Sequence, residues 1–262
     1  MSALAAVAAS DGPGGTGFFA SVSDVVAHVW TAATTPVDPP SAAVVVVTAA
    51  IALTIVVVTP VWRVARHLVT IAHEGGHGVA ALVTGRKLTG IRLHSDTSGL
   101  TVSYGRPRGP GMIFTTLMGY VAPGLVGLGA AALLRQGYAV GLLWLLVLLL
   151  ALLLLQIRNW FGLWSVLVSG TALVLVSWFL EPAAQSAVAY AVTWFLLLGA
   201  VRPVLELQAE RAGGRAPTSD ADALARLTGV PGLVWVGVFL LVTAGCAVLG
   251  AVWILGPAPF GA

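Results

Sequence analysis

The amino-acid sequence contains seven long apolar segments, which restrict the possible folds more than any other feature. Each has about 18 residues or more, the length that an α-helix needs to cross the hydrocarbon core of a bilayer. Charged residues make up only 9% of the chain, against about 25% in a typical soluble domain. The segments are Ala42–Trp62, His67–Thr84, Met112–Leu134, Tyr138–Ile157, Phe161–Leu180, Ala184–Leu205 and Val230–Leu255. We therefore predict an all-α polytopic membrane protein with about seven transmembrane helices.

Residues 85–111, between the second and third segments, have a different pattern. Apolar residues alternate with polar ones on both sides of the polar turn Ser95–Gly99, as expected for two antiparallel strands. The Pro/Gly-rich stretch Arg106–Pro110 then ends the pattern. We predict a short β-hairpin here, and the alternative is a loop without strands.

The apolar segments divide the chain into three parts. We predict a flexible N-terminal tail over residues 1–41, a membrane-embedded domain over residues 42–257 and a C-terminal tail over residues 258–262. Within the domain, residues 208–228 form a polar loop that we expect on the cytoplasmic side. The N-terminal tail lacks the basic start of a signal peptide, so we expect no cleavage there.

Lysine and arginine are distributed unevenly between alternate loops. Ten lie in one set of loops: Arg86, Lys87, Arg92, Arg106, Arg108, Arg158, Arg202, Arg211, Arg215 and Arg226. Three lie in the other set: Arg63, Arg66 and Arg135. Because positively charged loops stay in the cytoplasm, we predict a cytoplasmic N-terminus and a C-terminus outside the cell. The basic residues form no continuous stripe, so we expect no nucleic-acid partner.

The second segment contains the motif His73-Glu74-Gly75-Gly76-His77. Histidines four residues apart lie on one face of a helix, so both can bind one zinc ion at about 2 Å. Glu74 projects beside such an ion and can accept a proton from its bound water. Three ionisable groups in one membrane helix are costly and indicate a functional site; the alternative is a pair of buried structural histidines. We predict one catalytic zinc ion, with Glu74 as general base.

The motif within a membrane helix, followed by a short hairpin and further spans, resembles the site-2 protease family of intramembrane zinc metalloproteases, especially its compact bacterial branch. The resemblance covers residues 66–255. The residues that carry it are His73–His77, Leu93–Thr101, Gln156–Trp160 and Ser219–Asp222. It implies that His73 and His77 bind zinc, that Glu74 is catalytic, and that the hairpin presents a membrane-spanning protein substrate in extended form. Because the amino-acid composition is of a bacterial type, we expect the protein in the bacterial inner membrane, with its site toward the cytoplasm.

A catalytic zinc ion needs a third protein ligand. Better-known members of the family supply an aspartate from an Asn-rich motif ending in Asp-Gly, which is absent here. Asp220 belongs to a Ser-Asp-Ala run shared with the resembling sequences, so we predict it as the ligand, with Glu206 or Asp222 as alternatives. Ser219 and Asp222 also form a capping box, so these acids could instead only start a helix. For Asp220 to reach His77, the loop must fold back into the bundle.

Asn159 follows the fourth apolar segment. We predict that its amide binds a substrate backbone carbonyl; the alternative is a helix-end cap beside the snorkelling Arg158.

These observations together predict an intramembrane zinc metalloendopeptidase in the lipid bilayer. Two other classes remain possible on the sequence. One is a metal-transporting or metal-sensing membrane protein that uses the same histidines, and the other is a non-catalytic membrane scaffold, which the missing Asp-Gly motif favours and the intact HExxH motif opposes.

Overall fold

The structure, a computed structural model, describes residues 22–213 and 219–256. Its helices are α1 (Val22–Thr34), α2 (Ala42–Val57), α3 (Thr59–Val83), α4 (Pro110–Arg135), α5 (Ala139–Leu154), α6 (Trp160–Phe179), α7 (Pro182–Gly199), α8 (Val201–Ala212), α9 (Asp220–Thr228) and α10 (Gly232–Leu255). Its strands are β1 (Lys87–Leu93) and β2 (Gly99–Tyr104). Residues 1–21 of the predicted N-terminal tail and the C-terminal tail 258–262 lie outside the described residues, and the division into domain and tails stays a prediction.

Within the described ranges, four helices are long and apolar enough to cross a membrane: α4, α6, the combined α7 and α8, and α10. The pair α2 and α3 also qualifies, but it is bent by 101°, so the number of candidate spans rises to five only if the pair is one span. Helix α5 has 16 residues, about 24 Å of rise, which is less than the roughly 30 Å of a hydrocarbon core. The predicted count of seven spans is therefore not confirmed. The apolar helices are consistent with a multi-pass membrane protein.

The bend between α2 and α3 lies at Val58 and has its own set of polar contacts. The last carbonyls of α2 lack partners within the helix, and the guanidinium of Arg202 donates to those of Val56 and Val57. The same guanidinium lies 5.0 Å from the centre of the Trp62 ring. Helix α8 therefore caps the end of α2 and holds the first turn of α3.

The centre of the bundle brings α3 and α4 unusually close together. A Cβ atom added at Gly76 would lie 2.6 Å from the Met118 carbonyl oxygen, so only glycine permits this approach. Elsewhere in the bundle, large side chains from several helices are almost completely buried, among them Trp62, Leu143 and Leu197. The close contact fixes the face of α3 that carries the histidines against the first half of α4.

The predicted hairpin is confirmed. Strands β1 and β2 pair antiparallel, with Ile91 opposite Thr101 and Leu93 opposite Gly99. The other edge of β1 pairs with the break between α5 and α6, because Ile91 N–H donates to the Gln156 carbonyl (2.8 Å) and its carbonyl accepts from Arg158 N–H (2.9 Å). Strand β1 is thus paired on both edges. Since Ile91 and Leu93 direct their main-chain groups away from β2, their partners Thr101 and Gly99 direct theirs to the outer edge of β2.

Candidate metal centre

Helix α3 places His73 and His77 one turn apart, with their Nε2 atoms 3.1 Å from each other. The Nδ1 atom of His77 lies 2.7 Å from the Thr115 carbonyl oxygen on α4. A carbonyl can only accept, so Nδ1 carries the proton and Nε2 keeps its lone pair for a metal. The ring of His73 packs edge-on against Tyr120, at 4.8 Å between ring centres. Both imidazoles are therefore held by α4.

Asp220, the first residue of α9, completes the group. Its Oδ2 atom lies 3.3 Å from Nε2 of His73 and 3.3 Å from Nε2 of His77. Helix α9 reaches this position because it is packed into the bundle, with Ala221 and Leu224 fully buried beside apolar side chains of α4, α8 and α10. The chain thus folds back as the predicted ligand role requires.

The Ser219 half of the predicted capping box is present beside this aspartate and does not compete with it. The Ser219 hydroxyl accepts from Asp222 N–H (3.4 Å) and donates to the Asp222 carboxylate (2.6 Å). Arg211 forms an ion pair with the same carboxylate. Burial alone would raise the pKa of Asp222, but the hydrogen bond from Ser219 and the charge of Arg211 lower it below its usual value. Ser219 and Asp222 therefore start the helix, which leaves the carboxylate of Asp220 for the histidines.

The three ligand atoms form a triangle with sides of 3.1, 3.3 and 3.3 Å. Two ligands at about 2.0–2.1 Å from a tetrahedral zinc ion lie roughly 3.3–3.4 Å apart, so these residues fit one such ion with its fourth position open. The Oδ2 atom of Asp220 is buried and has no hydrogen-bond partner among the described residues. Leaving a buried carboxylate oxygen without a partner is costly, and a cation would satisfy it.

Two further features belong to the same site. A Cβ atom added at Gly119 would lie 2.8 Å from Asp220 Oδ2 and would overlap the His77 ring, so the space between the ligands depends on this glycine. Burial alone would raise the pKa of Asp220, but the neighbouring imidazoles of His77 and His73 hold that pKa below its usual range. Of the two forms of this carboxyl group, the charged one is the form that binds metal.

Glu74 lies next to His73 on α3 and is 4% exposed. Its Oε2 atom accepts a hydrogen bond from the Thr101 hydroxyl at 2.6 Å. The carboxylate also touches the backbone of β2, because a Cβ atom at Gly99 would lie only 2.5 Å from its Cδ atom. Strand β2 therefore packs directly on the predicted general base.

The other predicted residues lie elsewhere. Glu206 accepts from Trp62 Nε1 (2.9 Å) and Arg202 Nε (2.9 Å) and forms an ion pair with Arg66 (3.3 Å) at the bend of α2 and α3. Asn159 donates through Nδ2 to the Leu93 carbonyl (2.6 Å) and accepts through Oδ1 from Leu93 N–H (3.1 Å). Asn159 thus extends the pairing of β1. Its contact with a substrate stays a prediction, and both its amide atoms are engaged by Leu93 here.

Sequence reasoning missed Thr101, Thr115 and Gly119 as parts of the site. The strand alternation offered a signal for Thr101, since it puts residues 99, 101 and 103 on one face of β2. A small residue such as Gly119 within an apolar segment indicates only helix packing. Thr115 contributes a main-chain oxygen, for which a side-chain pattern gives no signal.

Comparison with known proteins agrees with the geometry. A family model described as Peptidase M50B-like matches residues 46–250, well over half of the chain, and this range includes the HExxH motif, the hairpin and Asp220. No curated protein and no solved structure matched the chain. The resemblance to the site-2 proteases is thereby confirmed. The chain belongs to the Peptidase M50B-like family, whose domain is a site-2 protease family domain.

Proposed function

We propose that the protein is an intramembrane zinc metalloprotease that hydrolyses peptide bonds of membrane-spanning protein substrates. The observation that carries this proposal is the triangle of His73, His77 and Asp220, with candidate ligand atoms 3.1–3.3 Å apart. The buried Glu74 follows His73 on the same helix. Family membership suggests a membrane metallopeptidase, and peptidases of the wider family are typically zinc-dependent.

The residues divide the chemical work between them. Zinc held by His73, His77 and Asp220 would lower the pKa of a bound water and polarise the scissile carbonyl. Glu74 would accept the proton of the attacking water and deliver it to the departing amide nitrogen. The bond from His77 to the Thr115 carbonyl keeps the imidazole in the required tautomer.

The substrate would bind as an extended strand along β2. A transmembrane helix hides its carbonyls in internal hydrogen bonds, so it must unwind before hydrolysis. Strand β1 is paired on both edges, whereas the outer edge of β2 has no partner strand among the described residues. Extended peptides commonly add to such an edge. The open edge at Gly99 and Thr101 lies beside Glu74 and would align a substrate with the base.

The proposed setting is the bacterial inner membrane, with a cytoplasmic N-terminus, an outer C-terminus and the site toward the cytoplasm. The support for this orientation is the distribution of ten basic residues against three between alternate loops. The hairpin holds five of the ten, Arg86, Lys87, Arg92, Arg106 and Arg108, so the substrate strand would enter from the cytoplasmic side.

Replacing Glu74 by glutamine tests the proposal. The amide keeps the shape of the side chain but cannot accept the proton, so cleavage of fluorescein-labelled casein should fall by about 10²–10⁴-fold. Zinc content, measured by mass spectrometry of the purified protein in detergent, should remain that of the wild type. Cleavage at the wild-type rate by the Glu74→Gln protein would refute the mechanism, and a wild-type protein that binds no zinc would refute the function.

A further inference from the structure

Among the described residues, side-chain hydrogen bonds join the hairpin to two residues of α3, Thr70 and the proposed base Glu74. Thr70 and Glu74 lie one turn apart on the same face of α3. The Thr70 hydroxyl lies 3.0 Å from the Thr97 carbonyl oxygen at the hairpin turn. The Thr101 hydroxyl lies 2.6 Å from the Glu74 carboxylate and 3.1 Å from its main-chain oxygen. The 2.6 Å contact of Thr101 with the Glu74 carboxylate is a stronger hydrogen bond than the 3.0 Å contact of Thr70 with the neutral Thr97 carbonyl.

Strand β2 is shaped to bring its backbone onto this carboxylate. Gly99 precedes Thr101 by two residues and therefore shares its face of the strand. The Glu74 side chain occupies the space that any larger residue at position 99 would need. Strand β1 is held on both edges, so the position of β2 over Glu74 is fixed by the surrounding structure.

We propose that Thr101 is a positioning residue for Glu74, an inference that rests on the function proposed above. A glutamate has three rotatable side-chain bonds, and a base must be held in its productive geometry. The hydroxyl fixes Oε2, and Gly99 lies against Oε1, so two residues of β2 set the position of the carboxylate. The main chain of Thr101 lies at the open edge of β2. The residue that would align the substrate strand therefore also holds the base.

Four variants separate positioning from general hairpin stability. Thr101→Val keeps the shape and removes the hydroxyl, whereas Thr101→Ser keeps the hydroxyl. Thr70→Val is the matched control, because it removes the other hydrogen bond between α3 and the hairpin without touching Glu74. Gly99→Ala retains the hydroxyl but pushes a methyl group against the carboxylate.

The measurements are kcat and KM for labelled casein, zinc content, and affinity for a peptide hydroxamate, a zinc-binding probe whose acidic proton Glu74 would accept. In Thr101→Val, kcat should fall by about 10–100-fold, with KM and zinc content unchanged. Hydroxamate affinity should fall as well. Thr101→Ser should recover most of the kcat and of the hydroxamate affinity. Thr70→Val should match the wild type in both. Gly99→Ala should lose activity while keeping zinc.

The outcomes distinguish this inference from the proposed function. If Glu74→Gln is inactive while Thr101→Val keeps the wild-type kcat and hydroxamate affinity, the positioning role is overturned and the protease function stands. Equal losses in Thr70→Val and Thr101→Val, or loss of zinc from Thr101→Val, would reduce Thr101 to a structural residue. A wild-type protein that neither binds zinc nor cuts casein overturns both proposals.

Discussion

Two polar clusters are built into this apolar bundle, and their carboxylates have very different partners. Glu206, at the bend of α2 and α3, faces two permanently charged guanidinium groups and an indole N–H. Asp220 faces two imidazoles, one of which uses its only certain proton on the Thr115 carbonyl. In a membrane protein both clusters are costly, and each contains a buried carboxylate oxygen without a hydrogen-bond partner among the described residues, Oε2 of Glu206 and Oδ2 of Asp220. Only the Glu206 cluster has permanent positive charges to balance its carboxylate, so we call it complete and the Asp220 cluster incomplete. The acid whose charge is not balanced by permanent cations is the one that lies at the candidate metal centre.

The largest effect should come from removing Asp220, the proposed ligand of the incomplete cluster. Asp220→Asn should weaken zinc binding by at least about 100-fold, because loss of a direct ligand exceeds the 10–100-fold cost of losing its supporting partners. Zinc affinity can be measured by competition with a chromogenic chelator.

Asp222→Asn is the control, since this acid lies in the same helical turn but pairs with Arg211 and Ser219. Equal zinc affinity in the two variants would mean that Asp220 is not a ligand.

A smaller loss of zinc should follow from filling the space between the ligands. Gly119→Ala places a methyl group against His77 and Asp220, so zinc affinity should fall by about 10–100-fold as the ligands move apart. Gly129→Ala on the same helix is the matched control, because a Cβ atom there meets nothing within 4 Å. Isothermal titration with zinc should show the weaker affinity in Gly119→Ala and the wild-type affinity in Gly129→Ala. Identical binding curves would show that the Gly119 contact does not shape the site.

The smallest effect is expected at the complete cluster, and it should concern stability only. Glu206→Gln removes the charge that balances Arg66 and Arg202, and the free energy of unfolding should fall by about 1–3 kcal/mol. Zinc content should not change. Denaturant titration in detergent measures the free energy of unfolding, and mass spectrometry measures the zinc content. Glu210→Gln is the control, because Glu210 is exposed on the same helix. Loss of zinc from Glu206→Gln would break the distinction between the two clusters.

Much of the fold and half of the site followed from local patterns. Apolar segments predicted the helices, and alternation predicted the two strands, because side-chain period depends only on the local backbone geometry. The spacing of His73 and His77 predicted that they share a face of α3. The span count could not be obtained this way. Segment length does not report a bend such as the one at Val58, where Arg202 from α8 supplies the partners that the helix end lacks.

The apolar helices, the hairpin and the two histidines of the candidate metal centre could be predicted from the sequence alone, since each depends on residues within one or two helical turns or one pair of strands. Spacing could not identify the acid that joins the histidines, and it was the family resemblance that pointed to Asp220. The contact of Thr101 and Gly99 with Glu74 likewise became visible only in the folded chain. These contacts join residues far apart in the chain, and their distances depend on how α4, α9 and β2 pack against α3, which no local repeat encodes.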